Sequence, residues 1–244
     1  MSGNAGGYLA LYDADGNDLW AIDPIGNLSV TDDASGAWFL DANASDPLVK
    51  FVDDNGSIQS VFRIAGGSVS DLIASSDGNA IVSIVSGTGS ISVNGETLFS
   101  ASPSQSALFK FKTNGSVAWT LPLAMGNSEL LDLARGSDDF VWVLGSVSGA
   151  EGQSLAYDES SLTLGSNDGI LLKVDPAGEV FGLWATSTPA IQVEVDANEN
   201  VWVAGAHAGV QGQTHTLALG QLPLSGDSAS GYFVGRIGKA GADF

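Results

Sequence analysis

A unit of about sixty residues recurs along this chain, and that repeat limits what it can fold into more than any single motif does. Four stretches superpose: 48–56, 107–115, 170–178 and 232–241, each a short apolar run entering a polar turn closed by glycine. The closing glycines Gly56, Gly115, Gly178 and Gly241 follow one another at nearly even intervals. Repeats of this length mark solenoids, propellers or arrays, in which one unit cannot bury its own faces and neighbours must stack on it.

A second register confirms the first. Ser75-Ser76-Asp77-Gly78-Asn79-Ala80-Ile81-Val82, Gly136-Ser137-Asp138-Asp139-Phe140-Val141-Trp142-Val143 and Asp196-Ala197-Asn198-Glu199-Asn200-Val201-Trp202-Val203 superpose, with Ile81, Val141 and Val201 in strict register from one copy to the next. Apolar and small residues alternate or run together around these turns, as in half-buried or fully buried strands. Glu129–Arg135 is the nearest approach to a helical stripe. It aligns with the alternating Ile191-Gln192-Val193-Glu194-Val195-Asp196 and therefore reads as a strand. Asn94-Gly95, between Ile91-Ser92-Val93 and Glu96-Thr97-Leu98-Phe99, is the strongest short-range signal for a type I′ hairpin turn.

Each unit thus supplies about four strands, so the expected fold is all-β: a β-propeller-like array of four-stranded antiparallel blades, about four repeats plus a terminal stub. The expected layout is one domain over 1–244, with repeats at 6–47, 48–104, 105–166 and 167–230 and a stub at 231–244. In that phasing Trp20, Trp119 and Trp184 fall on the second strand and Trp38, Trp142 and Trp202 at or near the fourth, where large rings fill the space between sheets.

The segments Tyr8–Trp20, Ile170–Val180 and Val195–Gly205 resemble the bacterial β-propeller repeats named for seven-bladed propellers, and their looser relatives, the quinone-dehydrogenase-type propeller repeats. The resemblance covers almost the whole chain through degenerate motifs that specify strand and turn chemistry. No catalytic residue travels with it. Because such repeats occur mainly in large secreted or surface proteins, it implies a scaffold or binding role. Two departures stand out: the interval from Gly16 to Gly56 is shorter than a full unit and leaves no room for the extra hairpin seen at 90–100, and the last copy stops after one strand and its turn. The stub either pairs against the N-terminal blade to close a small ring, or the array belongs to something longer; an open sheet edge would invite self-association.

Charge narrows the partners. Twenty-eight Asp and Glu against eight Lys and Arg give a net charge of −20. Nucleic acid needs a basic footprint and anionic membrane surfaces repel such a chain, so neither is expected. No apolar run approaches the eighteen or so residues of a spanning helix, so no membrane insertion is expected. With no cysteine, disulfides and thiolate metal sites are excluded. The start, Met1-Ser2-Gly3-Asn4-Ala5-Gly6-Gly7, has neither a basic region nor an apolar core, so no signal peptide is expected: either the Met heads a piece excised from a longer chain, or export takes another route, for example within a phage particle.

The sharpest chemical candidate is Asp13, Asp15 and Asp18, three carboxylates on a Gly-containing loop able to offer oxygens to calcium. The twelve-residue calcium-loop pattern is not completed, and the equivalent turns lose their acids, so a hairpin turn capped by Asp, Asn and Gly is the favoured reading of these loops. His207 and His215 lack a third ligand. Asp138 with Asp139, and Glu194 with Asp196, are carboxylate pairs whose separation sequence cannot supply. Neither a Gly-x-Ser-x-Gly elbow nor a phosphate-cradling glycine loop is present. Sequons at Asn27, Asn43, Asn55 and Asn114 include two that are also hairpin turns.

The expected function is a non-catalytic propeller scaffold of a secreted, cell-surface or virion protein, with no cofactor unless calcium binds and a protein or glycan as partner. The alternatives are a structural assembly subunit and, behind it, a propeller glycoside hydrolase or lyase with acids converging from several blades.

Overall fold

The computed structural model describes residues 7–12, 18–31, 35–41, 46–87, 89–101, 105–123, 127–157, 160–165, 167–186, 190–208, 215–217, 222–224 and 230–239. Every regular element among them is a strand. The chain separates into two compact units, residues 1–102 with 108–120, and residues 103–107 with 121–244.

The first unit opens with β1 (Gly7–Tyr12) and β2 (Asp18–Ile25), an antiparallel pair. Then β3 (Leu28–Val30), β4 (Gly36–Asp41), β5 (Leu48–Asp53) and β6 (Ile58–Ala65) form an antiparallel meander. The next sheet starts with β7 (Gly67–Ala74) and β8 (Ala80–Ser86), detours through the hairpin β9 (Gly89–Val93) and β10 (Glu96–Ala101), and resumes with β11 (Ser106–Phe111) and β12 (Val117–Leu123). The hairpin does not join that sheet. It extends the preceding one through Ile64 opposite Val93 and Ala65 opposite Ser92.

In the second unit β13 (Asn127–Arg135), β14 (Val141–Ser148), β17 (Asn167–Val174) and β18 (Val180–Thr186) make the same meander, with the hairpin β15 (Ser154–Tyr157) and β16 (Ser160–Thr163) inserted at the same point. The last sheet, β19 (Ala190–Val195), β20 (Asn200–Ala208) and β23 (Ser230–Lys239), has three described strands and carries β21 (His215–Leu217) and β22 (Leu222–Leu224) in that position. These antiparallel sheets have the make-up of propeller blades. The segment 129–135 lies within β13, a strand as its repeat register required.

Pairing places the sheets two strands out of phase with the sequence units. The stretches at 48–53, 106–111, 167–174 and 230–239 are third strands, and Trp38, Trp142 and Trp202 lie on second strands, with Trp119 and Trp184 on fourth ones. A periodic sequence fixes its period, whereas the point at which one sheet ends and the next begins is set by which strands hydrogen-bond.

Six described turns share one construction. In the turns starting at Asp53, Ser75, Lys112, Gly136, Asp175 and Asp196, the fourth residue donates its N–H to the first residue's carbonyl, and the first donates to the fifth's, all at 2.8–3.1 Å. The fourth residue has positive φ: Gly56, Gly78, Gly115 and Gly178, with Asp139 (67°) and Glu199 (61°) in the other two. This is a type I turn followed by a left-handed bulge residue, a hairpin geometry that favours glycine at that point. Asn94 (52°) and Gly95 (86°) both have positive φ, the type I′ turn their sequence predicts.

Aromatic rings fill the core of the first unit. Trp38 lies 5.0 Å from Phe51 and 6.1 Å from Phe62, and Phe62 stacks on Phe111 at 4.3 Å. In the second unit Trp142, Leu144, Leu171 and Ala134 meet Val193, Val201, Val203 and Phe233 of the last sheet, and Trp142 stacks on Trp184 at 5.5 Å. Asp132 binds the two sheets together, its carboxylate accepting the Val193 N–H at 2.6 Å.

Candidate functional site

The turn acids are occupied by their own turns. One oxygen of Asp53 accepts from the Asn55 and Ser57 N–H groups, one of Asp175 from Ala177 and Glu179, and one of Asp196 from Asn198 and Asn200. Where the first residue is not acidic, the third caps instead: Asp77 for Asn79, Asn114 for Ser116 and Asp138 for Phe140. Asp196 goes further, accepting from the Asn200 amide and the Trp202 indole, and these bonds hold its pKa far below the ordinary carboxylate value. Asp53 is lowered chiefly by the Ser57 N–H. Bonds that require the ionised form depress a carboxyl's pKa, so these groups are committed anions rather than proton donors near neutrality.

The carboxylate pairs singled out from sequence do not converge. Asp138 caps its turn while Asp139 meets Arg135 at 3.1 Å. Glu194 takes the Gln192 amide at 3.4 Å and Asp196 serves the turn beyond it. Asp13 and Asp15 lie outside the described residues, and Asp18 begins β2 opposite Tyr12. His207 pairs with Gly231 in the last sheet and His215 with Leu224 in the inserted hairpin. Among the described residues no three His, Asp or Glu side chains gather as metal ligands.

Buried cations serve the interior. Lys110 reaches Asp77 at 2.9 Å. At the equivalent place one sheet later, Lys173 lies 4.4 Å from the centre of Phe140, 5.3 Å from Phe181 and 5.6 Å from Trp142, a cation held against three ring faces. The two lysines occupy equivalent third-strand positions and meet different internal partners, a carboxylate in one sheet and aromatic rings in the next.

A cleft of about 630 Å³ remains in the first unit, between the inserted hairpin and β12, within the size range of ligand sites. Asn94 of the Asn94-Gly95 turn lines it. Asn94 holds the hairpin on β6, its backbone N–H donating to the Arg63 carbonyl and its side-chain oxygen accepting the Arg63 N–H, both at 2.9 Å. Phe62, Val93, Leu98, Val117 and Ala118 give apolar walls, half-buried Trp119 an indole, and Glu96, Ser116 and Thr120 polar groups, with Glu96 the one carboxylate of the lining. An aromatic surface with hydroxyls and a single acid can stack and hydrogen-bond a neutral polyol; it does not supply the two facing carboxylates of glycoside hydrolysis. Sequence reasoning located the hairpin and Trp119 separately but not their meeting, because β9 pairs outside its own sheet.

No family model matches the chain, and no curated protein matches it. Among solved structures, a protein of unknown function from Bacteroides caccae covers 93% of this chain and 69% of its own length, at 13% identity and a TM-score of 0.48. The Dos1 propeller covers 80% of this chain and 56% of its own, at 14% and 0.35. BamB from Moraxella catarrhalis covers 82% and 88%, at 12% and 0.26. The blade assignment stands on the strand pairing of this chain itself.

Proposed function

We propose that the protein is a non-catalytic, propeller-like scaffold of an extracellular, surface or virion assembly, and that the cleft beside the Asn94-Gly95 hairpin binds a neutral glycan. The observation that carries this reading is the division of labour among polar groups. The turn carboxylates are consumed by backbone caps, while an indole, two hydroxyls and a single acid line the cleft. A net charge of −20 disfavours anionic ligands and leaves neutral ones unaffected. A partner protein segment offering a small polar loop is the second occupant the same lining accommodates.

An array of neutral oligosaccharides tests it, read with the wild type and with Trp119→Ala. Retention of at least one glycan class, lost by about fivefold or more in the variant, supports the proposal, since aromatic stacking contributes about 1 kcal/mol. Binding that survives in Trp119→Ala, or an array with no retained sugar, removes the cleft as a glycan site. Turnover of any retained glycan would overturn the non-catalytic reading.

A further inference from the structure

The cleft beside the hairpin is bounded on one side by the edge of a strand. Val117, Ala118, Trp119 and Thr120 are consecutive residues of β12, and all of them line it, after Gly115 and Ser116 of the turn that leads into the strand. Successive side chains of a strand point to opposite faces, so a run of neighbours borders one space only where the strand turns its edge to it. β12 is the outermost strand of its sheet, with β11 as its one strand partner among the described residues, and its other edge therefore carries N–H and C=O groups that no described strand pairs. The opposite wall differs in kind. Glu96 pairs with Val93 across the turn, so these two side chains share one face of the hairpin, and both line the cleft.

Two further observations select among occupants. An added peptide strand needs an unbroken ladder, but Pro122, on β12 itself, lacks the N–H to continue one, and its carbonyl already accepts the Tyr157 hydroxyl at 3.0 Å. Separate donors and acceptors suit hydroxyl groups, which can act as either. Glu96, for its part, has no hydrogen-bond or ion-pair partner among the described residues, whereas Asp53, Asp175 and Asp196 each cap their own turns. It is an acceptor left for something outside the chain.

We propose that the cleft takes an extended, unbranched oligosaccharide laid lengthwise along the β12 edge, its linkages equatorial so that the chain runs straight, with Trp119 against one ring and Glu96 accepting hydroxyls from the hairpin side. This rests on the reading of the cleft as a neutral-glycan site and names the class of glycan. From Val117 to Thr120 the strand runs about 10 Å, longer than one sugar ring, so recognition is spread over consecutive rings rather than concentrated on a terminal one. A straight edge matches a ribbon-like chain, and an axially linked chain curls away from it.

Titration calorimetry of the full chain with cello-oligosaccharides of increasing length, and with malto-oligosaccharides of the same lengths, tests this. Affinity should rise by about tenfold or more from the single sugar to the tetrasaccharide and then level off, as the chain outgrows the wall. At equal length the straight cello-chain should bind about fivefold or more tighter than the curling malto-chain. Glu96→Ala, at an exposed position, should weaken the tetrasaccharide by about fivefold or more while keeping the wild-type melting temperature. An affinity independent of length, a malto-series that binds as well as the cello-series, or a Glu96→Ala variant that binds like the wild type would each overturn the proposal. If neither series binds while the array of neutral oligosaccharides retains another sugar through Trp119, this proposal falls and the glycan reading stands. An array that retains nothing removes both.

Discussion

Asp77 shows how a turn acid becomes a core component. Burial by itself would raise its pKa, but the Ser75 hydroxyl and the Lys110 ammonium outweigh that and hold it at about 2. Asp77→Asn would keep the shape and strand the buried Lys110 without a counter-ion. The expected loss is about 2 kcal/mol in urea unfolding, less than the roughly 3–5 kcal/mol of a wholly buried pair, because Asp77 is half exposed. A folded pKa below the unfolded one means that the stability Asp77 contributes is present above about pH 4 and is lost as the pH falls toward 2. Asp53 and Asp196 are shifted in the same direction, so acid titration followed by circular dichroism should show a midpoint that Asp77→Asn makes less steep. That these turns would be capped by Asp and Asn was legible from their composition. That Asp77 would also neutralise a lysine on β11 was not, since the two come together only when segments far apart in sequence pack.

The inserted hairpin is the element on which the candidate site depends. Gly95 has φ of 86° and open space around its missing side chain, so Gly95→Ala meets only the backbone penalty, about 1 kcal/mol. Asn94→Ala should act differently, releasing the Arg63 N–H and loosening the hairpin from β6. Hydrogen exchange should then quicken at Val93 and Ser92, which pair with Ile64 and Ala65, while β7 and β8 keep their protection. The Asn-Gly turn was readable from two residues. Its docking on the preceding sheet was not, because local turn chemistry specifies how two strands meet each other and says nothing about which edge receives them.

Across the molecule, two packing centres and one excess charge govern stability. Trp142→Ala removes the largest ring of the second unit's core and its stack on Trp184, with an expected cost of about 3–5 kcal/mol and a fall of about 10 °C in melting temperature. Added monovalent salt should raise the wild-type midpoint by screening the charge of −20. A melt with chelator and then with millimolar calcium separates that general effect from specific binding at Asp13, Asp15 and Asp18. A rise of several degrees beyond that given by sodium at equal ionic strength would support the loop as a calcium site, and none would leave it a turn.

The chain's own alternation and glycine spacing determined that it would be all-β, built of repeated hairpins with bulged turns, and that 129–135 would be a strand. These follow from side-chain period and allowed φ, which are properties of neighbours in sequence. Tertiary structure decided the rest. Trp142 and Trp202 occupy equivalent positions in nearly identical motifs, yet one is buried and the other faces solvent. Burial depends on whether another sheet lies above a face, and that depends on the order and number of sheets, which no single repeat encodes.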